Sequence, residues 1–235
     1  MAPAASRVAL CIMAKAPVAG QVKTRLCPPL SAGDAAELSR CFLVDKIAQV
    51  RQVTRAEPIV AYAPEGAAAV FESLAPGFRL LEQRGGDLTA RILSILERLF
   101  ADGCDAAILI DSDTPTLPVG LLESAVTLVA AGSHDLVLGP SEDGGYYLIG
   151  LLRFRPELFE GMPWSTPAVL GETLKRAGAL GLRTAQLPPW YDVDTAPDLV
   201  RLTAELAAGS GGAGQTRKFV LERLAGRTAE AQEGV

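Results

Sequence analysis

Histidine and paired cysteines are scarce in this chain of 235 residues, and their scarcity removes several kinds of active site. The single histidine, His134, lies at the start of a predicted strand, so neither a Ser-His-Asp triad nor a histidine-rich metal site is expected. The four cysteines form no Cys-x-x-Cys pair and lack the spacing of zinc sites. We interpret Cys11 and Cys104, which lie in or beside apolar runs, as packing residues.

Net positive charge and apolar runs of membrane length are also lacking. The formal net charge of −5 argues against a general nucleic-acid binder, because such proteins present a basic stripe to phosphates. No apolar run approaches the length of a membrane span, and a content of 49% hydrophobic and 21% charged residues is typical of a globular protein. Lys15 interrupts the apolar N-terminal run, which we interpret as a first strand and not a signal peptide, so a cytoplasmic protein is expected.

Strand and helix patterns alternate along the chain. Apolar runs predict strands over residues 7–14, 57–63, 78–82, 106–110, 135–139, 148–152 and 182–187. Helical spacing and capping residues predict helices over 31–53, 64–74, 88–100, 118–131 and 167–177, one that ends at 208 and one over 216–224.

This alternation predicts an α/β fold, a three-layer sandwich with helices on both faces of the sheet. Only a short turn separates the strands over 135–139 and 148–152, whereas a parallel crossover needs a dozen residues or more. The sheet is therefore expected to be mixed and mainly parallel. We expect a single domain over residues 5–225, followed by a frayed tail over 226–235.

Two aspartates, Asp111 and Asp113, directly follow the fully apolar strand over 106–110. Open α/β sheets bind ligands at the carboxyl ends of their strands. Two neighbouring carboxylates repel each other, so a cation between them is expected, and oxygen ligands favour Mg²⁺ or Mn²⁺. The alternative is an Asx turn in which Asp113 only caps the residues that follow. The fragment alone leaves both interpretations open.

A basic loop follows the first strand. It carries Lys15, Lys23 and Arg25 without an acidic residue among them, and Pro17 and Gly20 exclude a regular helix or strand. Such a loop at the end of a strand is a candidate phosphate cradle, and a solvated basic loop is the alternative. It matches neither the P-loop nor the dinucleotide-binding glycine motif.

Further candidate binding or catalytic residues follow the fifth and seventh predicted strands. Glu142 and Asp143 add two carboxylates, and the glycines after them allow a ligand to approach the backbone, although Asp143-Gly144 also suits a hairpin tip. Trp164 either packs in the core or lines a pocket. The last segment carries Asp192-Val-Asp-Thr after its strand. Carboxylates with a metal, together with basic groups such as Lys23 and Arg25, are suited to binding a diphosphate.

Five motifs, in this order and spacing, resemble a bacterial family of nucleotide-diphospho-sugar transferase-like proteins. They are Lys15-x-Pro-x-x-Gly-x-x-Lys-Thr-Arg-Leu, Asp111-Ser-Asp-Thr-Pro, Gly139-Pro-Ser-Glu-Asp-Gly-Gly-Tyr-Tyr-Leu-Ile-Gly-Leu, Pro163-Trp-Ser-Thr and Asp192-Val-Asp-Thr-x-x-Asp-Leu. The resemblance extends from residue 7 to about residue 224. It implies a GT-A, Rossmann-like fold, and the family is linked by label to arsenosugar biosynthesis.

The resemblance also implies roles for individual residues. The metal ligands implied are Asp111, Asp113 and Asp194. The residues implied to contact nucleotide or phosphate are Lys15, Pro17, Gly20, Lys23, Arg25, Gly86, Asp87 and Ser112. The residues implied to face the sugar or acceptor are Glu142, Asp143, Gly144, Gly145 and Trp164. Catalysis is implied for Lys23 and for Asp143 or Glu142, one of which would be the base of an inverting enzyme.

These observations favour a metal-dependent transferase that moves a glycosyl group from a nucleotide sugar to a small-molecule acceptor, with Mg²⁺ or Mn²⁺ as cofactor. One alternative is a guanylyl- or cytidylyl-type nucleotidyltransferase that uses a nucleoside triphosphate and a phosphorylated small molecule, since the chain also resembles phospholactate guanylyltransferase. Another is a non-catalytic nucleotide-binding domain. The Gly-x-Gly-x-Arg cradle of sugar-nucleotide pyrophosphorylases is missing, which weakens the case for a nucleoside triphosphate. No oligomeric state is predicted.

Overall fold

The apolar strand with the two aspartates at its end lies near the centre of a seven-stranded sheet. The structure, a computed structural model, describes residues 6–209 and 212–224. Its strands are β1 (Val8–Lys15), β2 (Glu57–Ala63), β3 (Arg79–Glu82), β4 (Ala106–Ile110), β5 (Leu136–Pro140), β6 (Tyr146–Leu151) and β7 (Thr184–Gln186). These bounds agree with the predicted strands to within a few residues.

The strand order is β3-β2-β1-β4-β6-β5-β7. β6 pairs antiparallel with both β4 and β5, and every other pair of neighbours is parallel. Six strands therefore run in one direction and β6 runs against them. The prediction of a mixed, mainly parallel sheet is confirmed, and its cause is the short β5–β6 turn, which cannot span a parallel crossover.

Helices cover both faces of the sheet. They are α1 (Ala32–Gln52), α2 (Ala68–Leu74), α3 (Leu88–Ala101), α4 (Val119–Ala130), α5 (Val169–Ala179), α6 (Ala196–Ala207) and α7 (Gly214–Phe219). Single 3₁₀ turns lie at Thr24–Leu26 and Pro156–Leu158, and a π-helical turn covers Val220–Leu224.

The sheet divides the hydrophobic core into two parts, and alternate side chains of β4 pack on opposite faces of the sheet. Ile108 and Ile110 pack with α1 and α4 on one face, whereas Leu109 packs with α3 on the other. All residues of β4 are buried, which explains why its sequence is continuously apolar and does not alternate. Each buried Ile or Leu side chain contributes roughly 1.5–3 kcal/mol to folding, so this strand is firmly fixed in the sheet.

A third cluster of buried residues joins α1, α6 and α7, and it corrects one prediction. Thr216 was expected to cap the last helix, but it lies inside α7 and is buried. The cap comes instead from Asp45 of α1, whose carboxylate accepts hydrogen bonds from the backbone N–H of Gln215 (3.0 Å) and Thr216 (2.8 Å). A cap from a residue so distant in sequence leaves no local signal.

Two other helices begin later than predicted. α2 was expected from Pro64, but Gly66 has a φ of 82°, which no helical residue adopts, and the helix begins at Ala68. α5 was expected from Pro167 with Thr166 as its cap. The helix begins at Val169, because the preceding residues form turns in which the Thr166 hydroxyl accepts a bond from the N–H of Ala168 and its carbonyl oxygen accepts one from the N–H of Val169.

Residues at positions 1–5, 210–211 and 225–235 lie outside the described part of the chain, and with them the predicted tail over 226–235. Among the helices of the described ranges, none combines the length and the apolar character that crossing a membrane requires.

Candidate active site

Two adjoining cavities open at the edge of the sheet where β1 and β4 end and β6 begins, and Met13 and Leu88 line both. The basic cavity, about 440 Å³, is defined by its charged lining residues, Lys15, Lys23, Arg25, Arg91, Asp113 and Asp194. The acidic cavity, about 230 Å³, is defined by Asp111, Asp143, Asp192, Tyr146, Tyr147 and Trp164.

Lys23 lies between Asp113 and Asp194. Its Nζ is 2.8 Å from Oδ1 of Asp113 and 2.7 Å from Oδ1 of Asp194, and it donates a hydrogen bond to the carbonyl oxygen of Val193 (2.9 Å). The side chain is only 5% exposed, and its backbone adopts a left-handed φ of 49°. The structure thus brings together two aspartates 81 positions apart in the sequence, with an ammonium group between them.

The ion pairs dominate the protonation of this cluster. Burial lowers the pKa of Lys23, but Asp113 and Asp194 raise it by more, so the net shift is upward. Burial raises the pKa of Asp194, whereas Lys23 and Arg25 lower it, and the net shift is downward. Both Lys23 and Asp194 are therefore charged at neutral pH, as a compensated pair requires.

The turn after β4 is closed by Asp111. Its Oδ1 accepts hydrogen bonds from the backbone N–H of Asp113 (3.2 Å) and from the hydroxyl of Thr114 (2.8 Å). This geometry matches the Asx-turn alternative, with Asp111 and not Asp113 as the residue that closes the turn. Asp111 lines the acidic cavity and Asp113 the basic one, so the turn forms the wall between the two cavities.

Two buried side chains of α1 hold that wall, and sequence reasoning missed both. The Lys46 ammonium donates to the carbonyl oxygen and the hydroxyl of Thr114, both at 2.8 Å, and the Gln49 amide donates to the carbonyl oxygen of Pro115 at 2.6 Å. Burial lowers the pKa of Lys46 to about 8, while nearby aspartates oppose the shift. The available signal was a lysine and a glutamine three positions apart on the apolar face of a helix.

The other carboxylates of the acidic cavity are held by neutral donors. Asp143 accepts a bond from the backbone N–H of Gly145 (2.8 Å), and Asp192 accepts one from the hydroxyl of Ser141 (2.8 Å). Burial raises the pKa of Asp192 and the bond from Ser141 opposes that shift. No role is predicted for Asp192 from the sequence, although its spacing to Asp194 repeats that of Asp111 to Asp113.

Aromatic side chains form the rest of the acidic cavity. The Trp164 indole N–H donates to the hydroxyl of Thr89 (2.8 Å), and its ring meets that of Tyr146 edge-on at 6.3 Å between centroids. Trp164 therefore does both things that were predicted as alternatives: it packs against the core and it lines a pocket. Among the described lining residues of this cavity there is no lysine, arginine or histidine.

Several predicted site residues lie elsewhere. Glu142 is half-exposed and pairs with Arg201 of α6 at 2.6 and 3.0 Å, so it points away from both cavities. Asp87 caps α3 by accepting a bond from the N–H of Ala90 (2.8 Å), and neither it nor Gly86 lines either cavity. The structure therefore places all three residues outside the two cavities.

Of the remaining predicted site residues, some line a cavity and others do not. Ser112 lines the basic cavity and Gly145 the acidic one. Pro17 and Gly20 shape the basic loop without lining either cavity, and Gly20 adopts a φ of 77°. Gly144 serves packing, because a Cβ there would lie 2.3 Å from the carbonyl oxygen of Pro167.

The positions of the acidic side chains indicate whether the site can hold a metal ion. Within the described residues no group of three or more histidine, cysteine or acidic side chains is arranged to hold one. Asp113 and Asp194 nevertheless face one point, the position that the Lys23 ammonium group fills. One or two carboxylates are what Mg²⁺ takes from a protein when phosphate oxygens and water complete its shell. The pair fits such an ion, whereas Asp111 is turned away into the acidic cavity.

Comparisons with known proteins concern the sequence and the fold of the chain. A family model described as an uncharacterized protein conserved in bacteria, DUF2064, matches residues 46–166. The matched segment includes the turn of Asp111 and Asp113, the β5–β6 hairpin and Trp164. No functionally curated protein matches the chain in sequence.

Solved structures share the fold. A candidate nucleotide-diphospho-sugar transferase from Desulfovibrio desulfuricans G20 is 30% identical, with a TM-score of 0.84 over 94% of this chain and 96% of that chain. CMP:2-keto-3-deoxy-manno-octonic acid synthetase complexed with CTP is 14% identical, with a TM-score of 0.57 over 87% of this chain and 100% of that chain.

A third relative is glucosyl-3-phosphoglycerate synthase from Mycobacterium tuberculosis, in complex with Mn²⁺, UDP and glucosyl-3-phosphoglycerate. It is 14% identical, with a TM-score of 0.52 over 93% of this chain and 80% of that chain. At 14% identity these last two structures show the fold alone. Together with the Desulfovibrio protein, the comparisons confirm the predicted fold and the predicted class of enzyme, a transferase.

Proposed function

Because the chain belongs to the DUF2064 family of bacterial proteins and has the fold of nucleotide-diphospho-sugar transferases, we propose that it transfers a glycosyl group from a nucleotide sugar to a small, uncharged acceptor. In this proposal the diphosphate of the donor lies in the basic cavity. The sugar and the acceptor hydroxyl meet in the acidic cavity.

The observation that carries the proposal is the division of charge between the two cavities. Four cationic and two acidic side chains line the basic cavity, whereas three aspartates and no cation line the acidic one. A diphosphate needs an excess of positive charge. A phosphorylated acceptor would meet three carboxylates in the acidic cavity, so the same observation weighs against the nucleotidyl-transfer alternative.

On the donor side, Lys15, Arg25 and Arg91 line the basic cavity and supply charge-assisted hydrogen bonds to phosphate oxygens. Asp113 and Asp194 are the residues that would hold Mg²⁺ or Mn²⁺, and a bound divalent ion stabilises the charge of a departing nucleoside diphosphate. The relative crystallised with Mn²⁺ and UDP shares this fold, which supports the same type of donor here.

On the acceptor side, Asp143 is the proposed general base for a reaction that inverts the anomeric carbon. Its carboxylate lines the acidic cavity and is oriented by the N–H of Gly145, so it is placed to take a proton from an acceptor hydroxyl. Asp192, oriented by Ser141, accepts hydrogen bonds from sugar hydroxyls. Trp164 offers an aromatic face to the apolar side of a sugar ring.

The test begins with thermal shifts in the presence of nucleoside mono-, di- and triphosphates and nucleotide sugars, with and without Mn²⁺. Stabilising donors are then incubated with neutral sugars and polyols and with their phosphate esters. Release of nucleoside diphosphate with a neutral acceptor supports the proposal. Release of pyrophosphate from a triphosphate would instead indicate nucleotidyl transfer, and metal-independent binding without turnover would indicate a binding domain.

A further inference from the structure

Lys23 differs from Lys15 and Arg25 of the basic cavity in the exposure of its side chain and in its contacts. Lys15 and Arg25 are exposed, whereas the Lys23 side chain is 5% exposed. An ammonium group has three N–H donors, and Lys23 has three polar contacts, all within 2.9 Å, to Asp113, Asp194 and the carbonyl oxygen of Val193. In this arrangement it has no donor left for a phosphate.

The same two carboxylates are the proposed metal ligands, so two cations compete for one position. A Mg²⁺ ion bound to them would lie about 2.0–2.1 Å from its carboxylate oxygens. The ammonium nitrogen already lies 2.7–2.8 Å from Oδ1 of both residues. A divalent ion and an ammonium held by the same two carboxylates repel each other strongly in a partly buried site.

We propose that Lys23 is an internal counter-ion that occupies the metal position until a nucleotide arrives. The inference rests on the proposed function, because it takes the site to bind both a divalent metal and a diphosphate. Diphosphate oxygens offer the ammonium new acceptors in the basic cavity, which it already lines. Lys23 then turns from Asp113 and Asp194 to the phosphate, and the two carboxylates become free for the metal ion.

The consequence is coupling between two ligands. Without a nucleotide, a metal ion binds weakly because it must displace Lys23. With a nucleotide, displacement is compensated by new ammonium–phosphate contacts, so each ligand strengthens the binding of the other by the same factor. Lys23 would thus keep the metal site closed to free ions until the donor is bound.

The test is a titration of the protein with Mn²⁺ alone, followed by the electron paramagnetic resonance signal of the free ion. Lys23→Met is expected to bind Mn²⁺ at least tenfold more tightly than the wild type, because the competing cation is gone. Lys23→Arg keeps the charge and should bind as weakly as the wild type. Lys15→Met removes a cation from the same cavity that is not between the carboxylates, and should change the affinity less than threefold.

Equal or weaker Mn²⁺ binding by Lys23→Met, or no binding by any variant, would overturn the inference. The double variant Lys23→Met with Asp113→Asn should lose the gained site, which shows that the ion binds at the predicted carboxylates. If Lys23→Met does not fold, Lys23→Gln carries the same expectation, since an amide keeps a donor for Val193. The transferase proposal fails separately, when no nucleoside diphosphate or nucleotide sugar stabilises the protein.

Discussion

The basic and acidic cavities adjoin each other, but their carboxylates are held in opposite ways. In the basic cavity, Asp113 and Asp194 share one ammonium, so one of their two negative charges is compensated within the protein. In the acidic cavity, Asp143 and Asp192 are oriented by a backbone N–H and a hydroxyl, which position a carboxylate without neutralising it. The first arrangement suits an exchange of cations around a diphosphate. The second keeps negative charge available for hydroxyl groups.

The largest expected effect concerns two neighbouring acidic residues that the structure separates. Asp143→Asn should slow glycosyl transfer by roughly 10²–10⁴-fold, the usual contribution of a general base. Glu142→Gln is the matched control, because Glu142 faces Arg201 outside both cavities, and it should leave the rate within twofold. The measurement is the rate of nucleoside diphosphate release with a neutral acceptor. Equal rates for the two variants would remove Asp143 as the base.

The next largest effect concerns the carboxylates of the basic cavity. Asp113→Asn removes one of the two charged ligands and should weaken Mn²⁺-dependent nucleotide binding about 100-fold, or ~2.7 kcal/mol, measured by calorimetry. Asp87→Asn makes the same chemical change at the cap of α3, outside the cavities, and should leave the affinity unchanged. Unaltered nucleotide affinity in Asp113→Asn would reduce Asp113 to a turn residue.

A smaller effect concerns the wall between the cavities. Lys46→Met should lower the free energy of unfolding by about 1–3 kcal/mol, because the buried oxygens of Thr114 lose their donor. Urea denaturation measures the change, and Lys175→Met, at a lysine that is 77% exposed, is the control without an expected effect. A urea denaturation curve of Lys46→Met that coincides with that of Lys175→Met would show that the wall does not depend on α1.

How much of this was predictable varies from residue to residue. The strand β4 and the convergence of Asp113 and Asp194 follow from apolar runs and from the rule that ligands bind at carboxyl ends of strands. The direction of Lys23 was not predictable, because it depends on a left-handed backbone at position 23 and on a carbonyl group 170 residues away. The same holds for Asp45, which caps a helix at the other end of the chain.

The separation of Glu142 from Asp143 has another origin. Both residues lie in the turn between β5 and β6, where Glu142 pairs with Arg201 and Asp143 accepts a bond from the N–H of Gly145, so only Asp143 lines a cavity. From the sequence alone the two residues are equivalent candidates, because the register of the β5–β6 hairpin and the position of Arg201 on α6 decide between them. Long-range placement of this kind is not encoded in a local motif.

The last prediction compares one aspartate of each cavity by the pH dependence of the unfolding free energy. Burial raises the pKa of Asp111 to about 7, above its value in an unfolded chain, so the folded state holds its proton more tightly. The stabilisation from this group is therefore complete at low pH and is lost as pH rises through 7. Asp111→Asn keeps an oxygen for the bonds from Asp113 and Thr114 but has no charge to bury.

The unfolding free energy of Asp111→Asn, relative to the wild type, should thus increase between pH 4 and pH 8 by an amount on the order of a few kcal/mol. Urea denaturation at both pH values measures the change. Asp194→Asn should behave in the opposite sense and at lower pH, because burial raises the pKa of Asp194 but Lys23 lowers it by more. Its charge therefore stabilises the wild type above the unfolded pKa, and this stabilisation is lost only as pH falls below about 4, which urea denaturation at pH 2 and pH 5 measures. If both variants change with pH in the same direction, the two cavities do not differ in how their carboxylates are compensated.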